Sequence, residues 1–334
     1  MKEKLLSISI AAYNIEKYIT HTLSSFLIPE IMPYLEVIIV NDGSTDRTLE
    51  LAKKFENKYV NVFKVIDKPN GGYGSTINCS SRIAEGKYYK TIDGDDWVDR
   101  EGMINFIEFL KSCNSDIVVS NYSRVNDKDG TIIPTIFQFR KEKELLNFDD
   151  TYNGQELYMQ ALTFKTSILK HAQLNITEKC FYTDIEYILT PMKYVNTISY
   201  INENVYMYRI AVDEQSMSIK GKRKHINEQL TVLNKMIGMY NSQSGDMSEG
   251  KRKYYNLILS DMVKSHITAI LSLKTSIKNF RRLASFDKGI KLLNEEIFSY
   301  ANKYKVIRLL RSSRYLLYWI GSPAYKMYKE VLKK

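Results

Sequence analysis

The chain has 334 residues, 44% of them apolar and 26% charged, a balance that excludes a disordered or collagen-like polymer and leaves enough chain to bury a sizeable core. Its net charge of +10 is unevenly spread: residues 1–220 hold 25 Lys and Arg against 30 Asp and Glu, whereas residues 221–334 hold 23 against 8. That split predicts a catalytic body joined to a part that meets something anionic.

The first element is the apolar run LLSISIAA. Preceded by lysines, it imitates a signal peptide, but Asn14, Glu16 and Lys17 follow without a small-residue cleavage site, so it reads as a buried strand. A helix over residues 15–27, the strand LEVIIV, a helix over 46–57 and the strand VNVFKVI complete a βαβαβ pattern. A helix over 75–85 then leads to KYYKTI, and one over 100–111 leads to DIVVSNYS. Apolar strands between helices predict a mostly parallel sheet covered on both faces, with the active site at the strand C-termini. After a turn at 127–130 and a β segment around 132–139, helical period resumes near Gln155. A helix over 185–194 precedes two strand-like runs, TISYI and VYMYRI, with turn residues between them at 202–204. Beyond Lys220 the pattern is helical, broken at 241–250. No run approaches the roughly 18 apolar residues of a membrane span. Cys79, Cys113 and Cys180 are odd in number and far apart, which provides neither a disulfide framework nor a Cys-x-x-Cys clip and fits a reducing cytoplasm.

Chemistry concentrates where predicted strands end. In TIDGDDWVD three carboxylates, Asp93, Asp95 and Asp96, crowd one strand end with no basic residue among them. They repel one another unless a cation sits between them, and such oxygen ligands suit Mg²⁺ or Mn²⁺ carrying a diphosphate; a solvated turn is the plainer reading. An EF-hand loop is excluded by Trp97 and Val98. In NDGSTD, Asp42 suits a nucleobase imide and Asp46 an N-cap, although turn and cap chemistry explains the whole run as well. Tyr13, after the first strand, suits base stacking or simple packing. KPNGGYGSTIN is a glycine-rich turn entering a helix, fit for an anionic ligand or an ordinary loop, and it matches neither a P-loop nor GxGxxG.

Taken in order, strand and Ala-Ala-Tyr-Asn, strand and Asn-Asp-Gly-Ser, strand and Asn-Gly-Gly, strand and Asp-Gly-Asp-Asp, the chain resembles glycosyltransferase family 2. The match is close over the first 100 residues, looser to about residue 218, and includes the DxD signature, here Asp93-Gly94-Asp95. The resemblance implies an α/β GT-A domain over residues 1–220, with a nucleotide-sugar half over about 1–120 and an acceptor half over about 121–220, followed by a basic helical region over 221–334. It implies donor-nucleotide contacts from Ala11, Tyr13, Asp42, Asn70, Gly71 and Asp93, with Asp95 as the direct metal ligand beside Asp93 and Mn²⁺ or Mg²⁺ as cofactor. Uridine is the nucleoside that it favours, which makes UDP the expected donor nucleotide.

About ninety residues after Asp95, CFYTDIEY is similar to the family's Glu-Asp pair, whose aspartate is the general base. Asp184 is the candidate, with Thr183 where the glutamate is usual and Glu186 or Asp213 next in line. In YMYRIAVDEQSMS, Arg209 and the nearby serines are expected near the diphosphate. No Gln-x-x-Arg-Trp exists in the chain, which implies a single-transfer enzyme. The expected reaction is inverting and metal-dependent, from a nucleotide-sugar donor, preferably a UDP-sugar, to a saccharide or lipid-linked saccharide acceptor in cell-envelope or capsular polysaccharide synthesis. An inactive sugar-nucleotide or glycan-binding subunit with the same fold is the alternative.

Residues 303–329 carry seven cations and no acids, interleaved with Val306, Ile307, Leu309, Leu310, Leu316, Leu317, Tyr318 and Trp319. This pattern fits an anionic membrane surface and places the chain in the cytoplasm, peripheral to the inner face of the cell membrane; a helix packed on the body is the plainer reading. No nucleic-acid-binding motif accompanies the charge, so nucleic acid is not an expected partner. The oligomeric state stays open, a homo-oligomer included.

Overall fold

Runs of β-branched residues too apolar for an exposed face form the central strands, and in the computed structural model, which describes residues 3–210 and 219–323, they do so in the expected order. The chain divides into two compact units, Met1–Asp213 and Glu214–Lys334.

In the first unit β1 (Leu6–Ala12), β2 (Leu35–Asp42), β3 (Phe63–Lys68) and β4 (Tyr88–Asp93) run parallel in the order β3-β2-β1-β4. Every residue of β2 is buried, whereas β3, at the sheet edge, exposes Lys64. The crossovers carry α1 (Ile19–Ser24), α2 (Thr48–Lys58) and α3 (Tyr73–Ile83). The register sets Ala11 opposite both Val40 and Asp93, and Asp42 opposite Lys68, so the polar strand ends lie side by side.

The sheet continues through β5 (Trp97–Val98), β6 (Ile117–Asn126), β7 (Ile132–Thr135), β8 (Leu146–Asn147), β9 (Leu162–Lys165) and β10 (Thr197–Ile210). β9 is antiparallel to both β4 and β6, β6 and β10 are parallel, and β5 closes against β10 antiparallel. α4 (Arg100–Ser112), α5 (Phe148–Thr151), α6 (Thr166–His171) and α7 (Asp184–Met192) complete the unit. Asp99 caps α4, its carboxylate accepting the Gly102 N–H at 2.9 Å. One large core runs from Ile8, Ile10 and Ile39 through Phe106 and Leu110 to Val205 and Tyr206.

Three expectations need correction. The helix over 15–27 is only α1, because residues 14–16 tie their backbone to the next loop instead. The helical period near Gln155 hides β9: Leu162 and Phe164 are buried because β9 lies between two strands, not because they share a helix face. TISYI and VYMYRI are one strand, and the residues read as a turn are a bulge where the β6–β10 register shifts between Ile201 and Tyr206.

The second unit is helical: α8 (Ile219–Lys224), α9 (Ile226–Gln243), α10 (Glu249–Ser272), α11 (Ile277–Leu293), α12 (Glu295–Tyr300) and α13 (Lys305–Ser312). α10 is buried around most of its length and serves as the axis of the unit. No described helix is long and apolar enough to cross a membrane.

Arg311 is not a solvated cation. It reaches back from α13 to the buried Asp287 with two bonds of 2.7 and 2.9 Å, donates to the Phe298 carbonyl at 2.6 Å and lies 3.5 Å from the Phe298 ring centroid. Ile307, Leu310 and Tyr318 are buried alongside it, so one face of the 303–323 segment packs on its own unit. Lys303, Lys305, Arg308 and Arg314 are exposed, as are Leu309, Leu316, Leu317, Trp319 and Ile320. Lys326 and Lys329 lie outside the described residues.

Candidate active site

The loops after β1 and β2 are laced together by side chains. Asn14, at a φ of +52°, accepts the Thr45 N–H at 2.8 Å, and its own N–H donates to the Ser44 hydroxyl at 3.1 Å. Asp46 accepts the N–H groups of Glu16 and Thr48, the second at the mouth of α2, as expected of a helix-start carboxylate. Tyr13 is left half exposed beside this lacing.

Asp42 is almost fully buried and organises the glycine turn. Its carboxylate accepts the N–H groups of Gly71 at 2.8 Å and Gly72 at 2.7 Å, and the Lys68 ammonium donates to it at 2.6 Å. The Asn70 amide donates to the Asp42 carbonyl at 2.9 Å. Asn70, Gly71 and Asp42 therefore do come together, through bonds to one another. Gly72, at a φ of +81°, turns the chain into α3, and a Cβ there would stand 3.0 Å from the backbone of Lys179. That contact matters because Lys179 belongs to the stretch leading to α7, and its N–H donates to the Gly71 carbonyl at 2.6 Å.

The carboxylate turn is held from below. Asp96 is fully buried, accepting the Tyr206 hydroxyl at 2.6 Å and the Arg209 N–H at 2.7 Å. Burial, with Asp93 and Asp95 beside it, pushes its carboxyl well up. The Thr22 hydroxyl donates to the Gly94 carbonyl at 2.9 Å. Asp93 and Asp95 are consequently the two carboxylates of the turn that stay partly exposed. Burial raises the Asp93 carboxyl, with Asp95 and Asp184 adding repulsion, while the Tyr73 hydroxyl bonded to it pulls the other way. Asp95 is also raised by burial, and Arg209 offsets part of this.

Arg209, at the end of β10, is fixed. Its Nε donates to the Asp95 carbonyl at 2.8 Å, it pairs with Asp127, and its guanidinium lies 4.8 Å from the ring centroids of both Tyr18 and Trp97. The serines that follow it, and Asp213, lie outside the described residues.

Asp184 opens α7, and burial pushes its carboxyl up to about 6. It shares the Tyr73 phenol's surroundings with Asp93: burial first, and then both charges, hold that phenol's ionisation well above its ordinary range. Glu186, two places on, is buried and accepts the Thr177 N–H at 2.9 Å, which commits it to the loop leading to α7. Thr183 is buried at the helix start.

The sequence reading missed Tyr73, Tyr206, Tyr208, Lys68 and Asp127. Tyr206 and Tyr208 carried a signal, since alternate residues of a strand share a face. The Tyr208 phenol is pushed up by burial and by the charges of Asp93, Asp96, Asp95 and Asp184, which places it in the same basin. Lys68 meets Asp42, and Asp127 meets Arg209, only through the folded chain, and nothing local announces them.

Among the described residues no three His, Cys, Asp or Glu side chains form a complete metal cage. Asp93 and Asp95 fit a hard divalent cation of the kind that takes one or two carboxylates and completes its shell with substrate phosphates and water, because both are oxygen donors whose charge is disfavoured by burial and by neighbouring carboxylates.

Residues 7–171 match the family model for glycosyl transferase family 2. Glycosyltransferase GlyA of Streptococcus pneumoniae is 24% identical over 249 residues, which is 69% of this chain and 35% of that protein. Poly(ribitol-phosphate) beta-N-acetylglucosaminyltransferase TarS of Staphylococcus aureus is 28% identical over 216 residues, 64% of this chain and 36% of that protein. The chain thus spans about a third of the length of these curated relatives. The crystal structure of S. aureus TarS 1–349 in complex with UDP-GlcNAc superposes with a TM-score of 0.68 at 20% identity, covering 97% of this chain and 92% of that one, and shows a shared fold. The matched span holds the strand ends of β1 to β4 and the turns that follow them, and through it the chain, on a GT-A fold, belongs to glycosyl transferase family 2.

Proposed function

We propose that the chain is an inverting, non-processive glycosyltransferase that moves a sugar from UDP to a saccharide acceptor in cell-envelope polysaccharide synthesis. The observation that carries this reading is that the turn after β4 brings Asp93, beside Asp95, within reach of the charge of Asp184 at the start of α7, a half-buried carboxyl that desolvation pushes up to about 6. A base of that strength is ionised at neutral pH yet able to hold a proton in the transition state. Asp184 takes the acceptor hydroxyl proton as that oxygen bonds to the anomeric carbon, and the bond from that carbon to the diphosphate oxygen breaks on the opposite side. Arg209 adds a fixed positive charge beside Asp95, where the leaving diphosphate gains charge. Asp95, with Asp93, would hold Mn²⁺ or Mg²⁺, which neutralises the leaving diphosphate when bound. The base and ribose fall to Ala11, Tyr13, Asp42, Asn70 and Gly71, with Asp42 acting through the turn it organises. The UDP-GlcNAc bound by TarS supports uridine as the base.

The acceptor in this reading is lipid-linked, reached from the inner face of the membrane. Exposed Arg308 and Arg314 together with exposed Leu316, Trp319 and Ile320 support that position, because exposed cations and apolar side chains in one short segment suit an anionic lipid interface.

A thermal-shift panel of UDP, GDP, CDP and ADP, each with Mn²⁺ and with EDTA, tests the donor site. The expected result is stabilisation by UDP with metal, absent with EDTA and absent in Asp95→Ala. No shift with any nucleotide at saturation removes the donor site. A UDP shift without hydrolysis or transfer of any UDP-sugar leaves the binding-subunit alternative in its place.

A further inference from the structure

The helical unit contains a pocket of about 330 Å³ between α9, α10 and α11, at the small end of the range for ligand sites. Leu230, Phe286 and Ile290 make its apolar wall, and Asn234, Arg282 and His266 bring polar groups to it. His266 is 1% exposed, so a polar atom here has been taken from water for a reason. Its Nδ1 meets Gln229 Oε1 at 3.1 Å, and Gln229 in turn donates to the Ser265 hydroxyl at 3.0 Å. With an amide oxygen as its partner Nδ1 carries the proton, and Nε2 keeps a lone pair that no described residue meets. Burial and the nearby Arg282 push the ring's protonation down to about 3, which keeps that lone pair available at any ordinary pH. Phe286 packs on the imidazole at 4.2 Å between ring centres. Arg282 spends one N–H on Asn227 Oδ1 at 2.8 Å and has others to offer.

A glycine keeps this pocket open. Gly289 lies inside α11, where glycine is among the least favourable residues, and a Cβ added there would meet nothing within 4 Å. No close approach of backbone requires it. Its effect is to leave space in the wall that Phe286 and Ile290 otherwise fill.

We propose that this pocket is a saccharide subsite, taking one neutral sugar or alditol unit. A hydroxyl both donates and accepts, so it satisfies the His266 lone pair and the Arg282 and Asn234 donors together, whereas an anionic oxygen is repelled by that lone pair. The C–H face of such a unit matches Phe286, Leu230 and Ile290. In the reaction proposed above the occupant is a unit of the acceptor saccharide; that assignment rests on the reading of the first unit, and the binding itself does not.

Saturation-transfer NMR on the full chain with the methyl glycosides of glucose, galactose and N-acetylglucosamine tests this. At least one is expected to show transfer in the wild type and equally in Asp95→Ala, with affinity about tenfold weaker or lost in Gly289→Leu. Gly289→Leu is expected to keep a thermal midpoint at or above that of the wild type, since leucine is the better helix former, and Arg282→Ala serves as a second variant that weakens binding without filling the pocket. Transfer that survives both variants unchanged, transfer lost in Asp95→Ala, or none with any glycoside overturns the proposal. The UDP shift is read on the same samples: its absence beside Gly289-dependent glycoside binding would remove the donor site and leave the pocket standing.

Discussion

The Tyr206 hydroxyl donates to the Asp96 carboxylate at 2.6 Å and accepts the Asp93 N–H at 3.1 Å, so one phenol on β10 sets the height of the whole carboxylate turn. Tyr206→Phe removes a hydrogen bond to a buried carboxyl and should cost about 1.5–3 kcal/mol, measured by urea denaturation. The same variant should weaken the metal-dependent UDP shift, because Asp93 and Asp95 lose the support beneath them.

Asp184 gives a pH signature of defined sign. Its folded carboxyl titrates near 6, above its ordinary value of 3.8, so the folded state is penalised at pH above about 6 and the penalty fades as pH falls towards 4. Asp184→Asn should therefore raise the thermal midpoint at pH 8 and match the wild type near pH 4. It should keep UDP binding while transfer falls at least about 100-fold, and wild-type transfer should decline on the acid side of about pH 6. Normal transfer by Asp184→Asn would place the base elsewhere.

The glycine turn depends on Asp42 and on a positive φ. Asp42→Asn exchanges an acceptor for an amide that cannot serve Lys68, Gly71 and Gly72 together, at a cost of about 1–3 kcal/mol. Gly72→Ala meets both an unfavourable φ and the Lys179 backbone, and should cost about 1–2 kcal/mol or more. Both should weaken UDP in the thermal-shift assay, and an unchanged UDP shift in either would detach the turn from the donor site.

Two arginines of the C-terminal segment should behave oppositely to a third. Arg308→Glu with Arg314→Glu should leave folding unchanged and abolish flotation with anionic liposomes, since each cation contributes about 1 kcal/mol at such a surface. Arg311→Met leaves Asp287 buried without its cationic partner, with only the Tyr315 hydroxyl bonded to it, and should destabilise the helical unit by about 3–5 kcal/mol. Equal flotation with neutral and anionic lipids, or none with either, would remove the electrostatic membrane contact.

The parallel strands were legible because doubly buried strands are written as unbroken apolar runs, and the turns after them because carboxylates and glycines have few other uses at such ends. What stayed hidden is set by pairing across the sheet. β9 is four residues long and takes its identity from the two strands beside it, and the bulge in β10 looks locally like a turn because Asn202 and Asn204 are turn residues in any context. At the site, the carboxylate positions could be read while their separate surroundings could not: nothing in DGDD says that Asp96 is turned inward onto Tyr206 while Asp93 and Asp95 stay partly exposed. The role of Arg311 was hidden for the same reason, since a helical cation declares its charge and not the buried Asp287 that receives it.

β5 begins immediately after Asp96 and pairs with Tyr206 and Met207, so the turn bearing Asp93 and Asp95 is anchored in the sheet at both ends. In the donor site proposed above, an arriving ligand would find carboxylates that have already lost their backbone freedom. The ordering entropy was spent during folding, which leaves recognition at this turn to depend on charge and desolvation instead of on chain collapse.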